Sequence, residues 1–497
     1  MRITNKMMTN NSLYNINNNK NLLSKLENQY SSGKKISRPS DDPIIAVRAL
    51  KFRTNLTEAE QYVDKNIPDA LNWMEVTEAA LKTINGLIEN MNTYCNQGAN
   101  DYLTAEDRNS IVINLNQYEQ QIYQEGNTNY AGRYVFSGFK TDTSLVFTAE
   151  ENNYSYRIVE PLKPEKLEII SVMSNPVDIT KLDLNDLATW DTTVPSIKDV
   201  YRLPLGYDKL DGNEPASMSF VDKDGNTISS DNGDFIINTV SVNDEDAYDA
   251  PDNQINYIYE TGELIIGKDL YKELQKAQSI SVDYTKKTFT QNDLRPEHYY
   301  DCVRTTQDTG RITEFHKEDQ DINYEVNFNQ RLTINTQGSD AFSTAIHRLV
   351  SEISDSIRAV QAVEDQMSEV DKMLADSKMS EPQLKKLKEI KEQLESEYTL
   401  RTSQMTDAFQ RGLTITEKEQ ENTNVCVADL GGRYKRLLLT QDRLESQTVD
   451  FEELLSDNED VNMVDTIVKY TSANNVFNAS LAAASKLVQS SLLDYLS

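Results

Sequence analysis

Two heptad-like hydrophobic repeats, one towards each end of this 497-residue chain, constrain its fold more than any other feature. The first alternates steps of four and three through Ala70, Met74, Thr77, Leu81, Ile84, Ile88, Met91 and Cys95. The second alternates three and four over nine positions: Val427, Leu430, Tyr434, Leu437, Gln441, Leu444, Thr448, Phe451 and Leu455. Such spacing puts every member on one stripe of a helix, and a lone amphipathic helix cannot bury that stripe. The repeats therefore predict long helices that pack on partner helices.

Further helices are predicted outside these repeats. Apolar stripes run through Leu13, Ile16 and Leu23 near one terminus, and through Leu487, Val488, Leu492, Tyr495 and Leu496 near the other. The N-terminal helix is predicted to end at Gly33 and the helix-breaking segment Arg38–Pro43. Ser40 or Asp41 is the predicted N-cap of the next helix, with Pro43 in its first turn. The charge-dense segment 364–399 reads as a helical hairpin whose second arm begins near Pro382.

The hydrophobic period changes in the middle of the chain. Short alternating segments and Gly-containing turns replace the helical stripes from about residue 140 to residue 339. Ile255–Tyr259 and Leu264–Ile266 flank the turn Thr261–Glu263, which is typical of a β-hairpin. The sequence therefore predicts an α+β fold, in which long N- and C-terminal helices form a coiled-coil-like rod and a β-rich domain is inserted between them.

This pattern predicts three domains. A terminal-helix assembly domain combines residues 1–40 with 456–497. A helical rod domain combines residues 41–139 with 340–455 and contains the charged hairpin. A β-rich outer domain spans residues 140–339.

Charge limits the partners. The chain carries 80 acidic against 50 basic residues, a formal net charge of −30, which argues against nucleic acid and anionic membranes as partners. Ten basic and three acidic residues precede position 54. A transit peptide or a nucleic-acid-binding arm would explain this reversal, but a solvated helical face is the better reading. Arg2 and Lys6 are not followed by an apolar segment, so no cleaved signal peptide is expected.

Residues suited to chemistry are scarce. The three histidines, His298, His316 and His347, lack metal-site spacing, and the run Asp222–Asn226 lacks the ligand pattern of a calcium loop. No phosphate-binding loop or nucleophile motif is present. We therefore expect neither an enzyme nor a cofactor. The remaining function is assembly. Three classes of protein fit it: a filament or junction subunit, a phage-tail or adhesin fibre, and an intracellular coiled-coil scaffold.

Particular residues distinguish these classes. The chain resembles the flagellin family in several ordered motifs at both ends: Met1–Asn5 with Met7–Met8, Leu26–Ile36, Arg38–Pro43, Asn66–Glu75, Leu103–Arg108, Asn127–Gly138 and Asn424–Tyr495. Within the family it is similar to the hook-associated branch found at the hook–filament junction, through Met7–Met8, Pro39, Pro43, Trp73, Gly132–Gly138 and Gly338–Phe342. A flagellin-type filament subunit is the alternative. The large middle domain and the charged hairpin depart from the usual pattern.

The resemblance implies a structural protein of the extracellular bacterial flagellum, exported through the flagellar type III apparatus. The implied partners are a second hook-associated junction protein, the flagellin filament, further copies of the chain in a ring or helical layer, and an export chaperone. Nucleic acid and membranes are not among them, and no cofactor is implied.

The candidate assembly residues lie in the terminal stripes, the bend and the Gly132–Gly138 run: Leu13, Ile16, Leu23, Arg38, Pro39, Asp41, Asp42, Pro43, Arg133, Phe136, Leu487, Leu492, Leu493, Tyr495 and Leu496. For the bend, a solvated linker is the alternative to a contact role.

Overall fold

A computed structural model describes residues 5–100, 103–182, 194–244, 246–376 and 379–495, with side chains described from residue 6 to residue 486 within these ranges. Long helices lie at both ends of the chain and several β-sheets in its middle, which confirms the α+β class. The chain divides into two compact units. The first combines Met1–Leu71, Tyr324–Leu332 and Lys435–Ser497, and the second combines Asn72–Asn323 and Thr333–Tyr434.

The helices have the following bounds: α1 Asn5–Ser32, α2 Pro43–Gln61, α3 Ile67–Gly98, α4 Ala105–Glu125, α5 Lys268–Leu274, α6 Gly338–Ala341, α7 Ala345–Leu374, α8 Glu381–Glu459 and α9 Met463–Tyr495. A π-helical turn, Tyr62–Asn66, joins α2 to α3. Pro68 follows this turn and lacks the N–H that an unbroken α-helix would need there, so the wider turn accommodates it.

Both predicted repeats form a continuous buried or half-buried stripe along a helix, which we call a seam. All eight positions of the first repeat are buried, and all nine of the second are buried or half-buried. In the second unit, α3 and α8 run antiparallel, as three side-chain hydrogen bonds show: Tyr434 to Glu75 at 2.8 Å, Asn85 to Asn424 at 2.8 Å and Asn92 to Thr416 at 2.9 Å. The predicted pairing of N-terminal with C-terminal helices is thus confirmed, while the rod remains a prediction.

The charged hairpin is also present. Arm α7 ends at Leu374 and arm α8 begins at Glu381, with Pro382 in its first turn. Its buried apolar side chains are Val363, Val370, Leu387, Ile390 and Leu394, and they pack with Val177 and Ile179 from the segment after β4. The Val177 N–H also donates to Glu397 at 2.7 Å. The hairpin therefore shares a core with the β-rich part of the second unit.

The strands are β1 Asn129–Tyr130, β2 Arg133–Tyr134, β3 Tyr154–Leu162, β4 Glu168–Ser174, β5 Ser196–Pro204, β6 Ser217–Val221, β7 Thr227–Ser229, β8 Ile236–Val240, β9 Gln254–Ile258, β10 Glu263–Ile266, β11 Ser279–Lys286, β12 Asp301–Thr306, β13 Ile312–Phe315, β14 Asn323–Asn327 and β15 Gln330–Thr333. A five-stranded sheet has the order β4-β5-β10-β9-β8, and a six-stranded sheet has the order β13-β12-β3-β11-β6-β7. The predicted hairpin is β9–β10, with Ile255 opposite Ile266.

The two large sheets share one core. Alternating side chains of β3 and β11, in the six-stranded sheet, join those of β9 and β10, in the five-stranded sheet, in a cluster rich in aromatic residues. Gly262, in the β9–β10 turn, has φ +64°, and a Cβ built there would lie 1.9 Å from the Tyr207 carbonyl oxygen. Only glycine fits this turn without strain.

Candidate assembly interface

The bend between α1 and α2 is held by two aspartates with different roles. Asp41 accepts hydrogen bonds from the backbone N–H groups of Ser37 at 3.1 Å and Arg38 at 2.9 Å. Asp42 accepts from the N–H groups of Ile44 and Ile45, at 3.0 and 3.2 Å, and is the N-cap of α2. The predicted cap at Ser40 or Asp41 is therefore wrong. Pro43 occupies the first helical position, so the residue directly before it must be the cap.

Charged residues join the start of this bend to the end of α8, in a group that we call the terminal clasp: Lys34, Lys35, Arg53, Glu459 and Asp460. The Lys35 N–H donates to the Glu459 carbonyl at 2.6 Å, and the Val461 N–H donates to the Gly33 carbonyl at 2.9 Å. The Lys34 ammonium binds both acidic side chains. Arg53 reaches both carboxylate oxygens of Glu459, at 2.8 and 2.7 Å.

The contacts within the clasp shift the pKa values of its ionisable side chains. Partial burial alone would raise the pKa of Glu459, but hydrogen bonds from Lys34 and Arg53 outweigh it and lower that pKa. The hydrogen bond from Lys34 likewise lowers the pKa of Asp460, and both carboxylates raise the pKa of Lys34. These groups are therefore fully charged at neutral pH, and the clasp is closed there.

The remaining bend residues face solvent. Arg38, Pro39 and Pro43 are exposed, whereas Asp42 is half-buried. Arg38 and Pro39 line an open cleft of about 360 Å³ with Val47, Leu50 and the clasp residue Arg53. The bend thus presents a basic and apolar surface beside the clasp.

Helices α1 and α9 form an antiparallel pair in the first unit. The rings of Tyr30 and Tyr470 stack with centroids 6.3 Å apart, and the Asn19 amide donates to the Ser480 hydroxyl at 2.9 Å. The pair covers the α1 stripe incompletely, since Leu13 remains 52% exposed and Ile16 and Leu23 are half-buried. Other exposed apolar side chains on the two helices are Met7, Met8, Tyr14, Leu22, Tyr30, Met463, Val464, Ile467, Val468, Val476 and Leu481.

The C-terminal candidates are described only in part. Leu487, Leu492, Leu493 and Tyr495 belong to helix α9, and their side chains lie outside the described residues. Leu496 lies outside the described residues altogether. Their contact role stays a prediction.

Arg133 and Phe136 make contacts within the second unit. The Arg133 guanidinium lies 5.0 Å from the centre of the buried Trp73 ring. Phe136 is 1% exposed and meets Phe342 edge-on, with ring centroids 5.1 Å apart. A side chain so deeply buried stabilises its own subunit, so we assign Phe136 no contact with a neighbouring subunit.

Sequence reasoning missed two parts of this surface. The exposed residues Ile44, Val47 and Leu50 recur every three positions of α2, a spacing that was visible in the sequence. The clasp joins residues more than 400 positions apart, such as Arg53 and Glu459. No local pattern indicates such a contact.

Other kinds of site find no support in the described part of the chain. Within it, no three His, Cys, Asp or Glu side chains are grouped so that they could hold a metal ion. None of its helices is both long and apolar enough to cross a membrane.

Comparison with known proteins agrees with the resemblance. Residues 3–141 match the bacterial flagellin N-terminal helical region. Flagellar hook-associated protein 3 of Escherichia coli strain K12 is 29% identical over 155 residues, which cover 31% of this chain and 48% of that protein. A flagellin of Clostridium tyrobutyricum is 32% identical over 128 residues, which cover 26% of this chain and 34% of that protein.

Among solved structures, the flagellar junction protein FlgL from Legionella pneumophila aligns over 84% of this chain and 100% of its own, with 11% identity and a TM-score of 0.28. The chain spans about half the length, or less, of the curated relatives that it matches. The match of residues 3–141 includes the bend and helices α1 to α4. In this N-terminal helical region, the chain is similar to the flagellin family.

Proposed function

We propose that this chain is a structural subunit of the bacterial flagellum that joins the hook to the flagellin filament by helix–helix assembly. The observation that carries the proposal is the α1–α9 pair, in which described apolar side chains such as Leu13, Val464 and Val468 remain exposed. Contiguous exposed apolar surface is characteristic of interaction sites. The similarity to two proteins named flagellar hook-associated protein 3 favours the junction over other flagellar positions.

A flagellin-type filament subunit is the second candidate. The Clostridium tyrobutyricum flagellin supports it, because its identity of 32% is as high as that of the hook-associated relatives.

The proposal includes the domain division and the partners. Residues 1–40 with 456–497 would form the assembly domain, residues 41–139 with 340–455 the rod, and residues 140–339 the outer domain. A second hook-associated protein would contact the subunit on the hook side, and flagellin on the filament side. Export through the flagellar apparatus, with a chaperone, would deliver the chain to the cell exterior. The role is structural and requires neither catalysis nor a cofactor.

Deleting the gene tests this function. We expect hooks without attached filaments and flagellin in the culture medium, because filament subunits would lack an attachment layer. Electron microscopy of the cells and immunoblots of the medium measure the two effects, and a plasmid copy of the gene is the control. A flagellin would behave differently, since its loss removes the filament without releasing filament protein. Full-length filaments on the deletion strain would contradict both roles.

A further inference from the structure

Helix α2 presents an apolar face bordered by positive charge. Ile44, Val47 and Leu50 are 66%, 67% and 68% exposed. At about 100° per residue, Arg48 and Lys51 lie on the same side of the helix. Only Ala49 and Ala59 of this helix are buried. We call Ile44, Val47, Arg48, Leu50 and Lys51 the basic face of α2.

The C-terminal part of α8 presents the opposite combination. Val449 and Leu454 are 62% and 47% exposed, on the side of the helix away from the buried residues Leu437 and Leu444. The same helical spacing adds four exposed acidic side chains to this side: Asp442, Asp450, Glu453 and Asp457. Arg443 also lies on this side, and its guanidinium donates to the Gln330 side chain at 3.2 Å. The four acidic residues with Val449 and Leu454 form the acidic face of α8.

The two faces complement each other in charge and apolar content. Residues 442–460 contain eight acidic residues and one basic residue, whereas residues 1–53 contain ten basic and three acidic residues. Two copies with a net charge of −30 repel each other in most orientations. Docking the basic face on the acidic face replaces this repulsion by local attraction and covers apolar residues on both sides.

We propose that the basic face of α2 binds the acidic face of α8 in a second copy of this chain. The inference rests on the proposed function and names the surfaces through which copies associate. Because the two surfaces differ, the contact is head-to-tail, and its repetition builds a ring or a helical layer rather than a closed dimer.

Charge reversal tests the contact in the gene-deletion strain. One variant carries R48E with K51E, a second carries D450K with E453K, and a third carries all four substitutions and keeps the net charge of −30. All four positions are exposed, so the melting temperature should stay close to that of the wild type. Reversal of two exposed lysines of the β-rich region, K223E with K268E, is the matched control.

Each double variant should reduce the number of attached filaments at least tenfold while its secretion stays normal. The quadruple variant, whose faces are complementary again, should restore filaments to within twofold of the wild type, as should the control. Normal attachment with either double variant would overturn the proposal. Failure of the quadruple variant would also overturn it, because the faces would then bind a partner other than a second copy.

Cross-linking between copies provides a readout that does not depend on attachment. Val47→Cys and Val449→Cys are expressed as separate chains in one cell, so that a disulfide between them must join two molecules. The native cysteines are buried and should not compete. We expect a covalent dimer on non-reducing gels of purified hook–filament particles, and its absence would overturn the proposal. If the deletion strain kept its filaments, the proposed function would fail, while the same non-reducing gels of the two purified and mixed cysteine variants would still test the contact.

Discussion

At the scale of single residues, the two neighbouring aspartates of the bend accept hydrogen bonds from different backbone segments. Asp42 satisfies two N–H groups at the start of α2, and Asp41 satisfies two N–H groups of the chain leading into it. A helix start leaves such donors without intrahelical partners, so the cap matters more for stability than an exposed turn contact.

Asp42→Ala should lower the free energy of unfolding by ~1 kcal/mol, because it removes the N-cap of α2. Asp42→Ser should retain most of that stability, since serine caps helices well. Urea denaturation of the purified chain measures both. Asp41→Ala is the comparison and should cost less, because the N–H groups that it frees are exposed to water. An equal loss for the two alanine variants would show that the cap has no special role.

Glu459→Gln should weaken the clasp and reduce its sensitivity to acid, with Asp460 remaining as the acidic partner of Lys34. Lys34 loses one of its two charged partners and Arg53 loses Glu459, at a cost of ~1–2 kcal/mol for charge-assisted hydrogen bonds. The folded-state pKa of Glu459 lies below its ordinary value of 4.5, so the wild-type clasp is stable above that pH and weakens as the pH falls through the folded-state value. Hydrogen exchange of peptides covering residues 30–40, between pH 3 and pH 7, measures the opening. Glu452→Gln, at an exposed position of the same helix, should keep the wild-type pH dependence.

At the scale of elements, helix α7 carries an ionic contact to a β-rich loop within the second unit. His347 lies between two carboxylates, with Nδ1 2.6 Å from Glu119 of α4 and Nε2 3.4 Å from Asp208 after β5. Burial alone would lower the pKa of His347, but the hydrogen bonds and charges of Asp208 and Glu119 raise it to about 10. The imidazolium therefore links α4, α7 and the loop at neutral pH.

His347→Gln should destabilise the second unit by ~2 kcal/mol, because two partly buried carboxylates lose their cation. Since the pKa of His347 is raised by folding, its stabilisation is fully present below pH 6.5 and is lost as the pH rises through about 10. The difference in melting temperature between wild type and variant should therefore shrink between pH 7 and pH 10.5. His316→Gln, at an exposed site, should change little. A constant difference across this range would contradict the assigned charge.

The sequence predicted the elements that follow from the spacing of apolar residues along the chain. It did not predict the contacts between residues that are far apart in sequence. The seams of α3 and α8 and the β9–β10 hairpin were predictable, because side-chain spacing reports directly on helix and turn geometry. Sheet order was not, since strands as distant as β3 and β11 pair through backbone hydrogen bonds, which depend little on the identity of the side chains. The clasp and the burial of Phe136 depend on the tertiary fold and leave no comparable local signal.

At the scale of the whole molecule, buried side chains are distributed unevenly along the chain. The α3 seam is wholly buried, whereas Leu26 is the only fully buried residue among the described side chains of α1, and α9 has only Thr466 and Ala473. Ordering a helix costs ~1–2 kcal/mol per residue in backbone entropy, which so few buried residues offset poorly. Neighbouring subunits would supply the missing apolar surface, so we infer that the terminal helices gain most of their stability on assembly.

Hydrogen exchange should reveal this difference. In purified monomer, we expect peptides from α1 and from α9 to exchange within seconds to minutes, while peptides from the α3 seam and from residues 427–455 stay protected for hours. In isolated hook–filament particles, the α1 and α9 peptides should become protected as well, which is the matched control for intrinsic exchange rates. Removing roughly the first 40 and last 40 residues should leave a folded core that cannot join the particle. Full protection of both terminal helices in a verified monomer would mean that they are self-contained, and the apolar residues they expose would then need another explanation than assembly.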